Sequence, residues 1–323
     1  MKYITAIGEA LIDFIPEEKG CRLKDVTGFK RVCGGAPANV AAAAALLGGK
    51  SRIITKLGND PFGDYIADTL NQAGVDTGSV LRTDEANTAL AFVALASDGN
   101  RDFSFYRNPS ADMLLEADEI SEDMLKDTGI LHFCSVDLIE APVKYAHIKA
   151  IELAKSQNAI ISFDPNIRLN LWDSAENCVN TIRDFIKYAD ILKISDEELE
   201  LITGETDIKK AAPSLFSQGV KMIMYTMGGD GAALLTSGKE IKVKASKVTA
   251  KDTTGAGDCI IGSFLYALSA ADVEKETLTA LSEKELHEML YFANCASALS
   301  VTKSGAIASY STLPEIKKFM KNL

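Results

Sequence analysis

Short runs of branched apolar residues alternate along the chain with longer stretches whose apolar positions recur at helical spacing. This alternation predicts βαβ units around a mostly parallel sheet. Ile4 to Ile7 reads as a strand ended by Gly8, Val40 to Leu47 as part of a helix beginning near Ala36, and Arg52 to Thr55 as the next strand. Asp60 before Pro61 marks a helix start, and Gly74 lies just past its end. The theme repeats with strand Ile130 to Cys134, helix Pro142 to Gln157, strand Ala159 to Phe163, helix Ala175 to Tyr188 and strand Ile191 to Ile194. Helix Ile208 to Gln218, stopped by Gly219, precedes strand Met222 to Thr226. Helices over Gly257 to Ala271 and Glu283 to Val301 follow, and Thr312 with Glu315 forms a capping box for a last one.

Phe14 to Cys33 and Leu90 to Tyr106 break the alternation. In the second, two strand-like runs flank the turn Ser97-Asp98-Gly99-Asn100 as in a hairpin. Strands without a crossover helix suit a small separate sheet, expected as a flap over the binding edge of the body.

Composition narrows the function. A length of 323 residues admits one or two domains. A net charge of −11 argues against nucleic-acid binding, which needs a basic face, but not against a nucleotide carried with Mg²⁺. Six cysteines without a C-x-x-C spacing and three unpaired histidines argue against zinc and a disulfide framework. Met1 to Pro16 does not read as a signal peptide, and no run of about 18 apolar residues occurs. The expectation is a reduced, soluble, cytoplasmic protein with no membrane partner.

The strongest chemical signal is Asp252-Thr253-Thr254-Gly255-Ala256-Gly257-Asp258, followed directly by an apolar helix pattern. Small residues at a helix start leave backbone N–H groups bare, which makes an anion site suited to phosphate. A carboxylate there opposes anion binding. Asp258 is either a helix cap or the base that takes a proton from a hydroxyl attacking that phosphate. Two other signals fail. Gly49-Lys50-Ser51 resembles the end of a P-loop, but Ala44 stands where its first glycine belongs, and a dinucleotide fingerprint would need a glycine at Ile260.

Gly34-Gly35-Ala36-Pro37-Ala38-Asn39 together with Asp252 to Asp258 resembles the two signatures of the PfkB family of carbohydrate kinases, and the likeness spans essentially the whole chain. The resemblance implies a ribokinase-like fold: a three-layer α/β sandwich with a mostly parallel central sheet and a small β-sheet lid. Here the lid would be formed by about residues 14–33 and 88–112 within a single domain over 1–323. It implies an ATP-dependent phosphorylation of a sugar hydroxyl, with Asp258 as base and the backbone of Gly255, Ala256 and Gly257 as anion hole. Physically, Gly34 and Gly35 allow close approach to a sugar ring, Asn39 offers donor and acceptor, and an ionised Asp13 accepts from two hydroxyls.

For the nucleotide, Thr226-Met227-Gly228-Gly229-Asp230-Gly231 is similar to the family's T-x-G-x-x-G segment, and Asn294 to a position bordering the adenine. Lys193 and Glu198 belong to Lys193-Ile-Ser-Asp-Glu-Glu, which is similar to fructokinase members, Glu198 acting through water on Mg²⁺. Ser195 departs from the family's amide. The resemblance also implies K⁺ beside the anion site, at Asp252, Thr254, Ser300, Gly305 and Ser309, and a homodimer paired through the flaps.

Arg107 and Arg168 lie in Arg107-Asn108-Pro109-Ser110-Ala111-Asp112 and Asp164-Pro165-Asn166-Ile167-Arg168, both similar to fructokinase segments, and are expected at the sugar. Fructose is the expected substrate. Two guanidinium forks also suit a carboxylate, so a 2-keto-3-deoxygluconate kinase is the alternative, with a non-catalytic sugar-binding regulator as the third reading.

Overall fold

The computed structural model describes residues 1–18, 20–95 and 101–322. In chain order the strands are β1 (Tyr3–Ile7), β2 (Leu11–Pro16), β3 (Phe29–Gly34), β4 (Ser51–Gly58), β5 (Val80–Thr83), β6 (Leu90–Leu95), β7 (Arg101–Tyr106), β8 (Thr128–Cys134), β9 (Ile160–Asp164), β10 (Ile191–Ser195), β11 (Met222–Thr226), β12 (Ala232–Leu235) and β13 (Glu240–Val243). The helices are α1 (Ala36–Leu46), α2 (Pro61–Gln72), α3 (Glu122–Leu125), α4 (Pro142–Ser156), α5 (Ala175–Ile186), α6 (Asp196–Thr203), α7 (Ile208–Ser217), α8 (Ala256–Ala270), α9 (Glu283–Ser300) and α10 (Leu313–Met320).

Nine strands form one sheet in the order β13-β12-β11-β10-β9-β8-β1-β4-β5. All neighbours are parallel except at the β11, β12 and β13 edge. Alternate strand residues feed two apolar layers, as a sheet buried on both faces requires. Ile4, Ile130, Ile160, Ile191 and Met222 pack with Val40 of α1, Phe264 of α8 and Leu290 of α9. Ile7, Leu131, Ile161, Leu192 and Ile223 pack with Ala150 of α4, Ile182 of α5, Leu199 of α6 and Leu215 of α7. This is the expected three-layer sandwich.

The expected start of α2 holds in detail: the Asp60 carboxylate accepts from the N–H groups of Phe62 and Gly63 at 3.0 and 2.9 Å. So does the capping box of α10, where Glu315 accepts from Thr312 N at 2.7 Å. Five elements are additional to the expectation: the β12 and β13 hairpin strands, the edge strand β5, the short helix α3, and α6, opened by a Ser195/Glu198 capping box.

A second sheet of four strands runs β3-β2-β6-β7. It starts earlier than residue 14, because β2 pairs with β3 from Leu11 opposite Gly34, and so includes Asp13. It ends at Tyr106, and residues 107–112 leave it as a loop and a 3-10 turn. The expected turn Ser97 to Asn100 lies outside the described residues. Asp13 and Ile15 point toward the body. On the opposite face Phe14 stacks on Phe92 at 4.7 Å, and Phe29 and Tyr106 meet Phe92 edge-on.

Candidate active site

The carboxyl ends of β1, β9, β10 and β11 face the small sheet across a cleft of about 1620 Å³, the edge where open α/β sheets bind ligands. The loop before α8 forms one wall. Asp252 shapes it: one oxygen accepts from Thr254 N at 2.9 Å and Thr254 Oγ1 at 2.6 Å, the other from Gly305 N at 3.0 Å. Gly255 takes φ 74°, and a Cβ there would stand 2.6 Å from Tyr310 Oη, so only glycine fits. Tyr310 donates to Gly255 O at 2.9 Å, and Ser297 to Ala256 O at 3.0 Å.

The bare donors lie one residue further along than expected. Ala256 N–H closes a turn onto Thr253 O at 3.2 Å, which leaves Gly257 and Asp258 as the first-turn N–H groups without a partner among the described residues.

Asp258 is 6 % exposed, and two amides hold it: Asn39 Nδ2 donates to one oxygen at 2.8 Å and Asn166 Nδ2 to the other at 3.1 Å. Burial raises its pKa above the ordinary aspartate value, opposed by Asn39, Lys193, Arg168 and Asn166. A raised pKa suits a group that must take up a proton.

Lys193 ties this base to the anion site. Its ammonium donates to Asp164 at 3.0 Å and lies 3.4 Å from where a Cβ on Gly257 would be. Burial alone would lower the Lys193 pKa, but Asp164, Glu198 and Asp258 hold it above the usual lysine range, so the cation persists. Burial pushes Asp164 up to about 7 against the pull of Lys193. Glu198 moves the other way. Burial would raise it, yet Lys193 and the N–H groups of Ser195 and Ile167, each 2.9 Å away, keep it below the ordinary glutamate value.

At the other end, Asp13, Gly35, Asn39 and Arg168 line the cleft. Gly34 supports Asp13 from behind: a Cβ there would stand 2.1 Å from the Asp13 carboxylate. Glu9 also lines the cleft, accepting from Ala36 N at 2.9 Å, and burial pushes its pKa to about 7 against the charge of Arg107. Arg107 departs from its expected place. It is absent from the cleft wall, and its guanidinium is taken by Asp112 and Asp137 in a buried cluster.

Thr226, Gly228, Gly231 and Asn294 line the far end, where the nucleotide is expected. Among the described residues no group of three His, Cys, Asp or Glu side chains converges, so the protein offers Mg²⁺ few ligands of its own. Glu198 is a carboxylate lining the cleft that would be available to such an ion. Of the residues expected at K⁺, Asp252 and Thr254 line the cleft, while Ser300, Gly305 and Ser309 stand behind the loop. Ser300 donates to Ser297 O and Ser309 to Ala306 O, at 2.8 and 2.7 Å.

Asn166, Asp164, Glu9 and Tyr310 were not foreseen at the site. Asp164 ends β9 and Asn166 follows two residues on, in a segment read for its arginine. Tyr310 lies more than fifty residues from the loop it anchors and carries no local signal.

A buried carboxylate beside unpaired helix N–H groups, in a cleft between sheet ends and a second sheet, defines a small-molecule kinase. Residues 1–313 match the pfkB family carbohydrate kinase, and the chain belongs to that family. It is 41% identical over 320 residues to "Probable fructokinase-5" of Arabidopsis thaliana, covering 99% of this chain and 97% of the relative. Among solved structures it is similar to the fructokinase with bound ATP from Xylella fastidiosa, with a TM-score of 0.92 at 33% identity over 99% of this chain and 98% of that one. It is also similar to a double mutant of fructokinase from Vibrio cholerae O395 in fructose-, ADP- and potassium-bound form, with a TM-score of 0.88 at 30% identity over 99% of this chain and 98% of that one. No helix among the described residues is long and apolar enough to cross a membrane.

Proposed function

We propose that this protein transfers the terminal phosphoryl group of ATP to the primary hydroxyl of D-fructose, giving fructose 6-phosphate. The observation that carries the reading is Asp258, buried and held by Asn39 and Asn166 beside the unpaired N–H groups of Gly257 and Asp258 itself. The fructokinase names of full-length relatives point to the sugar. Sugar binds along Asp13, Asn39 and Arg168 while the small sheet serves as a lid of this single catalytic domain. Asp258 takes the hydroxyl proton. Gly257 N–H and Lys193 stabilise charge on the transferring group, and closure keeps water out. Mg²⁺, bound with the phosphates and reached by Glu198 through water, would neutralise charge there. The test is a coupled ATPase assay over fructose, ribose, glucose, nucleosides and 2-keto-3-deoxygluconate. Fructose is expected to give the highest kcat/KM, and a different best substrate refutes the assignment.

A potassium-bound relative and the Asp252 clamp on Thr254 and Gly305 support a monovalent cation behind the anion loop. Exchanging K⁺ for a bulky tetraalkylammonium at constant ionic strength is expected to lower turnover more than sugar affinity. Unchanged turnover disposes of the cation.

The aromatic outer face of the small sheet, with Tyr106 64% exposed, supports a homodimer paired through it. Light scattering is expected to give twice the chain mass for the wild type and the single mass for Phe92→Asp. A monomeric wild type rules the pairing out.

A further inference from the structure

The sugar end of the cleft is backed by an ion cluster that the reaction above does not use. Arg107, just past the end of β7, has its side chain 3% exposed and donates to Asp112 and Asp137, whose side chains are 2% and 1% exposed. The Ser110 hydroxyl donates to Asp112, fixing that carboxylate. Glu9 lines the cleft, with one oxygen on Ala36 N–H and the other without a partner among the described residues. Two carboxylates therefore grip one guanidinium, which also feels the charge of Glu9. Arg107 Nε and one oxygen of Asp137 are also buried without partners among the described residues.

From this arrangement we infer that Asp112 and Asp137 determine specificity: they hold Arg107 away from the ligand, so that the site takes uncharged polyhydroxy sugars and rejects sugar acids. The inference rests on the sugar-kinase reading above and deepens it by naming the substrate class.

A guanidinium fork is the best protein partner for a carboxylate. For Arg107 to serve a ligand it would have to leave two buried carboxylates without a cation, and breaking a buried ion pair is strongly destabilising. The direction of the substrate then decides what a sugar acid meets. Three residues of α1, about 4.5 Å of rise, separate Asn39, which touches Asp258, from Ala36, which touches Glu9. With the reacting hydroxyl on Asp258, the opposite end of a six-carbon substrate lies toward Glu9 and Asp13. A 2-keto sugar acid phosphorylated at its terminal hydroxyl has its carboxylate at that opposite end. There it faces acids, and protonating Glu9 would remove one charge without supplying a cation. Arg168 also lines the cleft; its guanidinium donates to Ile167 O at 2.8 Å, and its charge is one of those that lower the Asp258 pKa.

The test compares D-fructose with 2-keto-3-deoxygluconate in the full-length wild type and in Asp137→Asn, by calorimetric binding and by turnover, with thermal unfolding confirming the fold. Asp112→Asn serves if the first variant does not fold, and the wild-type comparison stands by itself if neither does. The wild type is expected to prefer fructose, and the variant to raise the ratio of sugar acid to fructose by about tenfold or more. A ratio unchanged within about twofold in a folded variant overturns the inference. So does a wild type that binds the sugar acid as well as fructose. If the wild type fails to phosphorylate fructose, the proposed reaction falls while the binding ratio still decides this inference.

Discussion

Replacing Asp258 by asparagine is expected to lower turnover by about 10²–10⁴ while sugar and ATP bind within a few-fold of wild type, the usual worth of a general base. The swap nearly conserves shape, but an amide presents one acceptor where the carboxylate presented two. Asn39 can adapt to that: its Oδ1 is buried without a partner among the described residues, so turning the amide over lets it accept from the new NH₂ group. The variant also carries a stability signature. Burial raises the Asp258 pKa in the folded protein, so its ionisation destabilises the fold progressively as pH rises from the unfolded pKa toward the folded one. Asparagine removes that cost, and the variant is expected to unfold at the same or a higher temperature than wild type at neutral pH. Since the base must be ionised to work, wild-type kcat/KM is expected to fall as pH drops through the raised pKa, and the variant to lose that limb. Turnover within a few-fold of wild type would remove Asp258 from the chemistry.

What could be read in the sequence was what local physics dictates. Asp252 to Asp258 has its glycines and acids within one loop, and Asp60-Pro61 is a helix start written in two residues, so both stood in the structure where expected. The four-residue strands β12 and β13 are too short to show a period. Helix α6 was obscured for another reason. Ser195 and Glu198 were read against the family's amide and metal shell, although S-x-x-E is itself a capping box, and Glu198 accepts from Ser195 N as that motif requires. Arg107 shows the firmest limit. Its place at a strand end was plain, but nothing local reveals that Asp137, thirty residues on and past another strand, closes over it. Lys193 and Asp164 are likewise joined only by the pairing of β9 with β10. Long-range charge pairing is a property of the fold, and those pairs separate an arginine that lines the cleft from one that is held behind it.

Lys193→Met is expected to lower turnover by about 10²–10³, the scale on which removing a preorganised electrostatic contact acts. Methionine keeps most of the stem's volume, so the change is chiefly one of charge. The loss reaches three acids at once. Asp164, already pushed to about 7 with the ammonium 3.0 Å away, has its pKa raised further and becomes neutral, as buried acids without a cation do. Because the folded protein then holds that proton more tightly than the unfolded chain, the destabilisation is expected to grow as pH rises, smallest in mild acid and largest above neutrality. Asp258 loses one of the charges that lower its pKa, so the acid limb of kcat/KM is expected to move to higher pH. That movement separates the electrostatic role from a structural one: a lysine that merely filled space would leave the limb in place whatever it did to the rate. A folded variant with the wild-type limb and near wild-type turnover would show that the ammonium serves only Asp164.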